Sequence, residues 1–410
     1  KVEAAPVTTE MSGKRAGAMA PVADVMIMPE PMPMPVPPKR PSPRGKRGVV
    51  TAGDIDDTLN LSAFMRYQAG AAKAHKLPRV NLGGYVTAKL VTTRGVRSSP
   101  AAGVFYTLKA PGAAEPFHSG YSGVDGNITV FPAALGAGQP KNVVLQAFEN
   151  GQQIGKAKLT TKNYWHEPIT VDASNGWEPD FLDLAFVFDT TGSMGDELAW
   201  LTKEFQGIVS AAKRAAPGVN IRFGLIAYRD NGDAYKVKNF GFTKSQSEMQ
   251  GWLRAQSANG GGDYPEAAGR ALASAAAMQW RSGKGERLMF HVADAPEHDS
   301  RAKTYLEAAR KAAVKGVQVF GLGASGVGPE AEFLMRQAAV QTGGRYMFLT
   351  DDSGVGHGHA EPTVSCYRVT ALTDLVGRVL RSELSGRRIE AAPSKVVRTV
   401  GSYRNGVCVN

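Results

Sequence analysis

Leu182-Asp-Leu-Ala-Phe-Val-Phe188 runs directly into Asp189-Thr-Thr-Gly-Ser193. The first stretch is an apolar run of strand length. The second carries an oxygen on every other side chain, so a tight loop at the strand's end can aim Asp189, Thr191 and Ser193 at one point. One carboxylate and two hydroxyls are hard donors. They suit Mg²⁺ best, with Ca²⁺ or Mn²⁺ also accommodated, rather than zinc or copper. Two neutral hydroxyls leave such an ion under-neutralised, so it stays electrophilic and seeks another carboxylate, including one presented by a partner.

Outward from this stretch, residues 180–350 alternate between strand and helix patterns. Strands are predicted at 182–188, 220–228, 236–242, 287–293, 317–322 and 345–349. Helices are predicted at 194–215, 244–257, 265–280, 300–315 and 329–342, with the Ala-rich run from Ala267 to Met278 a strong helix former. Such alternation argues for an α/β fold with a doubly wound, mainly parallel sheet. Two later loops add oxygen donors: Gly260-Gly-Gly-Asp263-Tyr-Pro-Glu266 between two helices, and His291-Val-Ala-Asp294-Ala-Pro296 at the end of the apolar run from Leu288.

Asp189-x-Thr191-x-Ser193, followed by Asp263 and Asp294, resembles the metal-ion-dependent adhesion site of von Willebrand factor type A domains, in the bacterial secreted type. The resemblance covers roughly residues 180–350. It implies a divalent cation on the top edge of the sheet, where ligands of open α/β sheets sit, held by Asp189, Thr191, Ser193, Asp263 and Asp294. Two positions depart from the family pattern. Thr191 stands where Ser is commoner, which keeps the oxygen. The usual second-loop Thr has no clear match, and Asp263 is the nearest donor. A ligating Asp263 would bring a third carboxylate, make the ion less electrophilic and favour a structural role. Asp230, at the end of the second strand, together with Tyr264 and Glu266, is expected on the ligand rim.

The chain has 410 residues and a net charge of +11, with a sequence pI near 9.5. That length exceeds a usual single domain. The basic residues are spread out and do not interleave with aromatics as a nucleic-acid platform would, so nucleic acid is not an expected partner. No stretch is long and apolar enough to span a membrane. The sequence begins at Lys1, as a processed or partial chain would, and Cys366 and Cys408 are a candidate disulfide. Together these point to a secreted, periplasmic or cell-surface location.

Residues 1–50 hold ten of the 24 prolines and six of the 13 methionines. The run Met26-Ile-Met-Pro-Glu-Pro-Met-Pro-Met-Pro-Val-Pro-Pro38 favours polyproline II and excludes helix or central strand. This segment reads either as a disordered spacer or as an arm for self-assembly. Residues 51–78 read as one helix, with Asp54, Asp56 and Asp57 at its favourable N-terminus. Residues 79–170 carry alternating strand patterns near 80–91, 103–108, 128–131 and 143–148, separated by turn signals such as Asp125-Gly126 and Asn150-Gly151. Asp125-Gly-Asn-Ile-Thr-Val-Phe-Pro132 is similar to a strand–turn motif of transthyretin-like β-sandwiches, which implies a small β-sandwich-like (transthyretin- or immunoglobulin-like) domain. Residues 351–410 read as a tail: a loop containing His357 and His359, a helix over Val369–Leu384 and an edge strand near Cys408.

Gly321-Leu-Gly323-Ala-Ser-Gly326 matches a dinucleotide-binding pattern, but at the fifth strand instead of the first and in a chain with 47 glycines, so no cofactor role is expected. No nucleophile, base and orienter fall into a recognisable arrangement, so a non-enzymatic function is expected. The sequence therefore predicts a metal-dependent module that binds a protein ligand presenting an acidic residue. The competing expectation is a structural subunit of an envelope or extracellular assembly joined through residues 1–50.

Overall fold

A computed structural model describes residues 49–94, 97–161, 168–173, 177–262, 264–353 and 362–409. All of them belong to one compact unit, Arg40–Asn410. The arm of residues 1–50, apart from its last two residues, lies outside the described residues, as do Asp263, His357 and His359.

The main sheet is nine-stranded. In chain order its strands are β1 (Thr51–Ile55), β2 (Phe181–Asp189), β3 (Asn220–Tyr228), β4 (Val237–Thr243), β5 (Gly285–Ala293), β6 (Gln318–Gly323), β7 (Tyr346–Thr350), β8 (Tyr367–Ala371) and β9 (Arg398–Val400). Their spatial order is β4-β3-β2-β5-β6-β7-β1-β8-β9. Strands β3, β2, β5, β6 and β7 run parallel, and the flanking strands pair antiparallel.

The helices are α1 (Leu61–His75), α2 (Gly195–Ala215), α3 (Gln246–Arg254), α4 (Ala268–Ala277), α5 (Ala302–Val314), α6 (Pro329–Thr342) and α7 (Leu372–Ser385). Alternate residues of each strand face opposite sides, and both sides are buried. Leu182, Leu184, Phe186 and Phe188 of β2 join a core with α2, α3 and α7. Val187 joins a second core with α1, α4, α5 and α6. A mainly apolar strand such as β2, buried on both faces, is stable only with helices on both sides, which is the doubly wound arrangement.

The structure corrects two readings. Residues 51–78 are not one helix: Thr51–Ile55 form strand β1, between β7 and β8, and the helix starts only at Leu61. Asp54 is not a helix-terminal charge. It is buried and donated to by Arg378 at 2.7 Å, with Arg345 at 3.5 Å. These guanidinium groups hold its pKa down at about 2 against the cost of burial. Residues 351–410 are not a tail outside the sheet either. The predicted helix over Val369–Leu384 begins as strand β8, and the apolar spacing of Leu372, Leu375, Val376, Val379 and Leu380 covers the sheet from α7. The edge strand is β9, and Cys366 and Cys408 form a disulfide with Cα atoms 5.3 Å apart.

The remaining β structure makes a short hairpin of Tyr403–Arg404 with Val407–Cys408 and two four-stranded sheets. Strands 97–100, 86–94 and 127–130 lie side by side, with 169–170 pairing beside 86–94; strands 118–121, 105–109, 142–149 and 152–160 form the other. They share one apolar core that includes Val86, Leu90, Leu108, Ile128, Val143 and Leu145. This part is tied to the main sheet by the Trp177 indole donating to the Glu383 carbonyl (2.9 Å) and the Asp125 amide donating to the Gly386 carbonyl (2.7 Å). Among the described residues no helix is long and apolar enough to cross a membrane.

Candidate functional site

Asp189 is the last residue of β2 and Asp294 follows β5 directly, so adjacent parallel strands deliver both carboxylates to one edge of the sheet. This is the carboxyl end of the strands, where binding sites of such sheets form. Asp189 is fully buried. Its Oδ1 accepts from the Thr191 amide (2.9 Å) and the Thr191 hydroxyl (2.7 Å), and its Oδ2 has no partner. Thr191 is buried beside it, whereas Ser193 is exposed and close enough to Asp294 for its hydroxyl to favour the charged carboxylate. Oδ1 of Asp294 is buried without a partner.

The loop is held from several sides. The Thr190 hydroxyl meets the Tyr228 carbonyl (2.8 Å) and the Tyr235 hydroxyl (2.6 Å). The Asn259 amide donates to the Thr190 carbonyl (3.0 Å) and the Gly192 amide to the Gly260 carbonyl (3.1 Å). Arg229 clamps the Thr190 and Ser257 carbonyls. The glycine-rich segment thus lies against the Asp189 loop. Asp263, which follows this segment, is outside the described residues.

Glu266 arrives from the same side. Its amide donates to the Pro296 carbonyl (2.9 Å), and it bridges Glu297 in parallel, which aligns the 266 and 294 segments. Its Oε2 is buried and unpartnered. Tyr264 donates to the Asp294 carbonyl (3.3 Å) and accepts from the Gly328 amide (2.7 Å), so it braces the loop. Asp230 is buried against His298 at 2.6 Å. The sequence reading missed three participants. Asp233 accepts from the Asp230 and Gly261 amides (3.0 Å each), Glu297 accepts from the Gly269 and His298 amides, and His298 pairs with Asp230. Only the turn spelled by Asp230-Asn-Gly-Asp233 hinted at the first of these.

The electrostatics are one-sided. Burial, then the charge of Asp294, raises the Asp189 pKa to about 7. Burial, then Asp189, raises that of Glu266 to about 9. Burial also raises Asp294, against the Ser193 hydrogen bond. Buried carboxylates normally carry partners, and three here each leave an oxygen unmatched. A divalent cation held by Asp189 and Asp294 would offset the charge, so the residues fit one. Among the described residues no three His, Cys, Asp or Glu side chains are placed to hold a metal by themselves. Asp189 and Asp294 with the Thr191 and Ser193 hydroxyls are therefore the candidate donors. Hydroxyl and water ligands of this kind suit Mg²⁺.

The glycines of the dinucleotide-like motif have a packing role. A Cβ on Gly321 would lie 2.8 Å from Met335 Cβ of α6, and one on Gly323 would lie 2.6 Å from the Tyr346 hydroxyl.

Residues 183–351 match the family model of the von Willebrand factor A domain. The chain is 31% identical over 129 residues to the alpha-protein kinase vwkA of Dictyostelium discoideum, covering 30% of this chain and 20% of that protein. It is 33% identical over 117 residues to an ariadne-like RING finger protein of Acanthamoeba polyphaga mimivirus, covering 28% of this chain and 11% of that protein. The chain thus spans a small part of the curated relatives it matches. Similar solved structures include the conserved hypothetical protein BatB of Bacteroides thetaiotaomicron, at 18% identity and a TM-score of 0.31, covering 41% of this chain and 88% of that one. Another is an aerotolerance-related membrane protein of Bacteroides fragilis, at 15% identity and a TM-score of 0.29, covering 42% and 92%. With its strand order and its loops at the carboxyl edge, the stretch 183–351 is a von Willebrand factor A domain within a longer chain.

Proposed function

We propose that the carboxyl edge of the sheet is a metal-dependent protein-binding site, and that the chain works by recognition and not by catalysis. The observation that carries this reading is the set of unmatched buried oxygens on Asp189 and Asp294 beside the Thr191 and Ser193 hydroxyls. Asp189 and Asp294 would hold the cation, and the hydroxyls would add neutral donors. Asp263, carried in the adjoining glycine-rich loop, is a further candidate. When bound, the ion supplies a Lewis-acidic contact for a carboxylate of a protein ligand. Thr191 keeps Asp189 oriented, Tyr264 and Asp233 fix the surrounding loops, and the exposed Ser193 marks the side from which a ligand approaches. Mg²⁺ fits this mixed donor set best. The Cys366–Cys408 disulfide supports a secreted, periplasmic or surface location, because such bonds persist in oxidising compartments.

Thermal unfolding with EDTA or with added Mg²⁺, Ca²⁺ or Mn²⁺ tests the proposal. Ligands that bind only the folded state must stabilise it, by about 2.7 kcal/mol at a hundredfold excess over Kd. The expected result is an ion-dependent rise in Tm that Asp189→Ala abolishes. A protein indifferent to all three ions, or an Asp189→Ala variant that responds like the parent, would refute it.

A further inference from the structure

We infer that Glu266 sets the cation affinity of this edge by holding water of the ion's shell, an outer carboxylate acting behind Asp189 and Asp294. The inference rests on the metal-binding reading above.

Glu266 is only 3% exposed, and its backbone is pinned by the Pro296 carbonyl and the Glu297 bridge. Its side chain is directed at the Asp189 loop. A Cβ built on Gly261 would lie 3.0 Å from Glu266 Oε1 and 3.2 Å from Thr191 Cβ, so both side chains border the same small gap. Oε2 has no hydrogen-bond partner. Four other buried carboxylates of this chain are matched by cations: Asp54 by Arg378, Asp57 and Glu332 by Arg336, and Asp183 by Arg222 and Arg281. The charges that act on Glu266 are Asp189, Asp230, Asp294 and Asp233, all acidic. Among the described residues no Lys or Arg side chain is paired with Asp189, Asp294 or Glu266, and the nearest ion pair of the cluster, His298 with Asp230, leaves their charge unmatched.

Among the described residues no three acidic side chains converge closely enough to hold an ion together, so Glu266 is placed behind Asp189 and Asp294 and not beside them as a third ligand. Mg²⁺ retains several waters when bound, and outer carboxylates that accept from such ligands typically contribute 10–100-fold to metal affinity. Glu266 is positioned for that role. Gly261, having no Cβ, leaves the gap open between its carboxylate and Thr191.

The test is titration of the full chain with Mn²⁺, followed by calorimetry and by the electron paramagnetic resonance of free Mn²⁺. Parent, Asp189→Ala, Glu266→Gln and Glu266→Asp proteins are compared, each with its Tm in EDTA. Glutamine keeps the shape and hydrogen-bonding capacity of Glu266 but not its charge. The expected result is binding by the parent, none by Asp189→Ala, and roughly 10–100-fold weaker binding by Glu266→Gln with a Tm in EDTA no lower than the parent's. Glu266→Asp retains the charge on a shorter arm and should recover part of the loss. Parent-like affinity in Glu266→Gln overturns the inference while leaving the metal site standing. Should Glu266→Gln not fold, Glu266→Asp decides: weaker binding supports the role and unchanged binding overturns it. Absence of Mn²⁺ binding by the parent overturns both this inference and the proposed function.

Discussion

Replacing Asp189 by Asn should stabilise the chelated protein and destroy its response to metal. Asn Oδ1 can still accept from the Thr191 amide and hydroxyl, so the loop keeps its bonds. What is removed is a buried charge facing Asp294 and Glu266. The Asp189 pKa is raised from 3.8 to about 7. For an acid raised in this way the folded state is penalised as pH climbs: nothing below about pH 4, a growing cost between the two values, and the full cost above pH 7. A gap of roughly 3 units at 1.36 kcal/mol each gives about 4 kcal/mol as the upper figure. Because Asp294 and Glu266 share the strain, the measured gain should be a few kcal/mol, or several degrees in Tm. The assay is unfolding in EDTA from pH 4 to pH 8, repeated with saturating Mg²⁺. Asp189→Asn should match the parent near pH 4, exceed it at pH 8 in EDTA, and fall below it once Mg²⁺ is added. An Asn variant less stable than the parent in EDTA at pH 8, or equally responsive to Mg²⁺, would refute the argument that unmet carboxylate charge defines this edge.

Two predictions concern the frame around the site. Arg336→Met should cost about 3–5 kcal/mol in urea unfolding. It leaves Asp57, bonded by both guanidinium arms at 2.8 Å, and Glu332 (2.9 Å) buried without a cation; a cost under about 1 kcal/mol would contradict the pairing. Removing the disulfide with the double variant Cys366→Ala/Cys408→Ala should cost about 4 kcal/mol by the loop-closure relation for a separation of 42 residues. It should also raise amide exchange in residues 398–409, whose end is tied to α1 by Asn60 through Gly406 and Cys408; unchanged exchange there would show that these hydrogen bonds suffice alone.

The sequence by itself determined the central alternation of strands and helices, because residues 181–350 carry their own instructions. Strand β2 carries apolar residues on both faces and therefore must be covered twice, and the later strands and helices follow it in alternation by their own patterns. It also determined the Asp189, Thr191, Ser193 and Asp294 constellation, since parallel strands deliver their following loops to one edge. Asp263 stays an expectation from sequence, as it lies outside the described residues.

Only the tertiary structure decided the outer sheet. Thr51-Ala-Gly-Asp-Ile55 is short and holds an acidic residue, and read alone it resembles the start of a helix. It is a strand because residues 346–350 and 367–371, about three hundred positions away, offer it backbone partners on both sides and Arg345 and Arg378 for Asp54. Val369–Ala371, the end of strand β8, falls within the predicted helix for the same reason: its strand character lies in its neighbours, not in its own side chains. The standing of Glu266 was equally illegible, because a sequence shows a carboxylate but not whether folding supplies it with a partner. In this protein folding brings arginines to Asp54, Asp57 and Asp183, and at the carboxyl edge it leaves Asp189, Asp294 and Glu266 each with an unmatched oxygen.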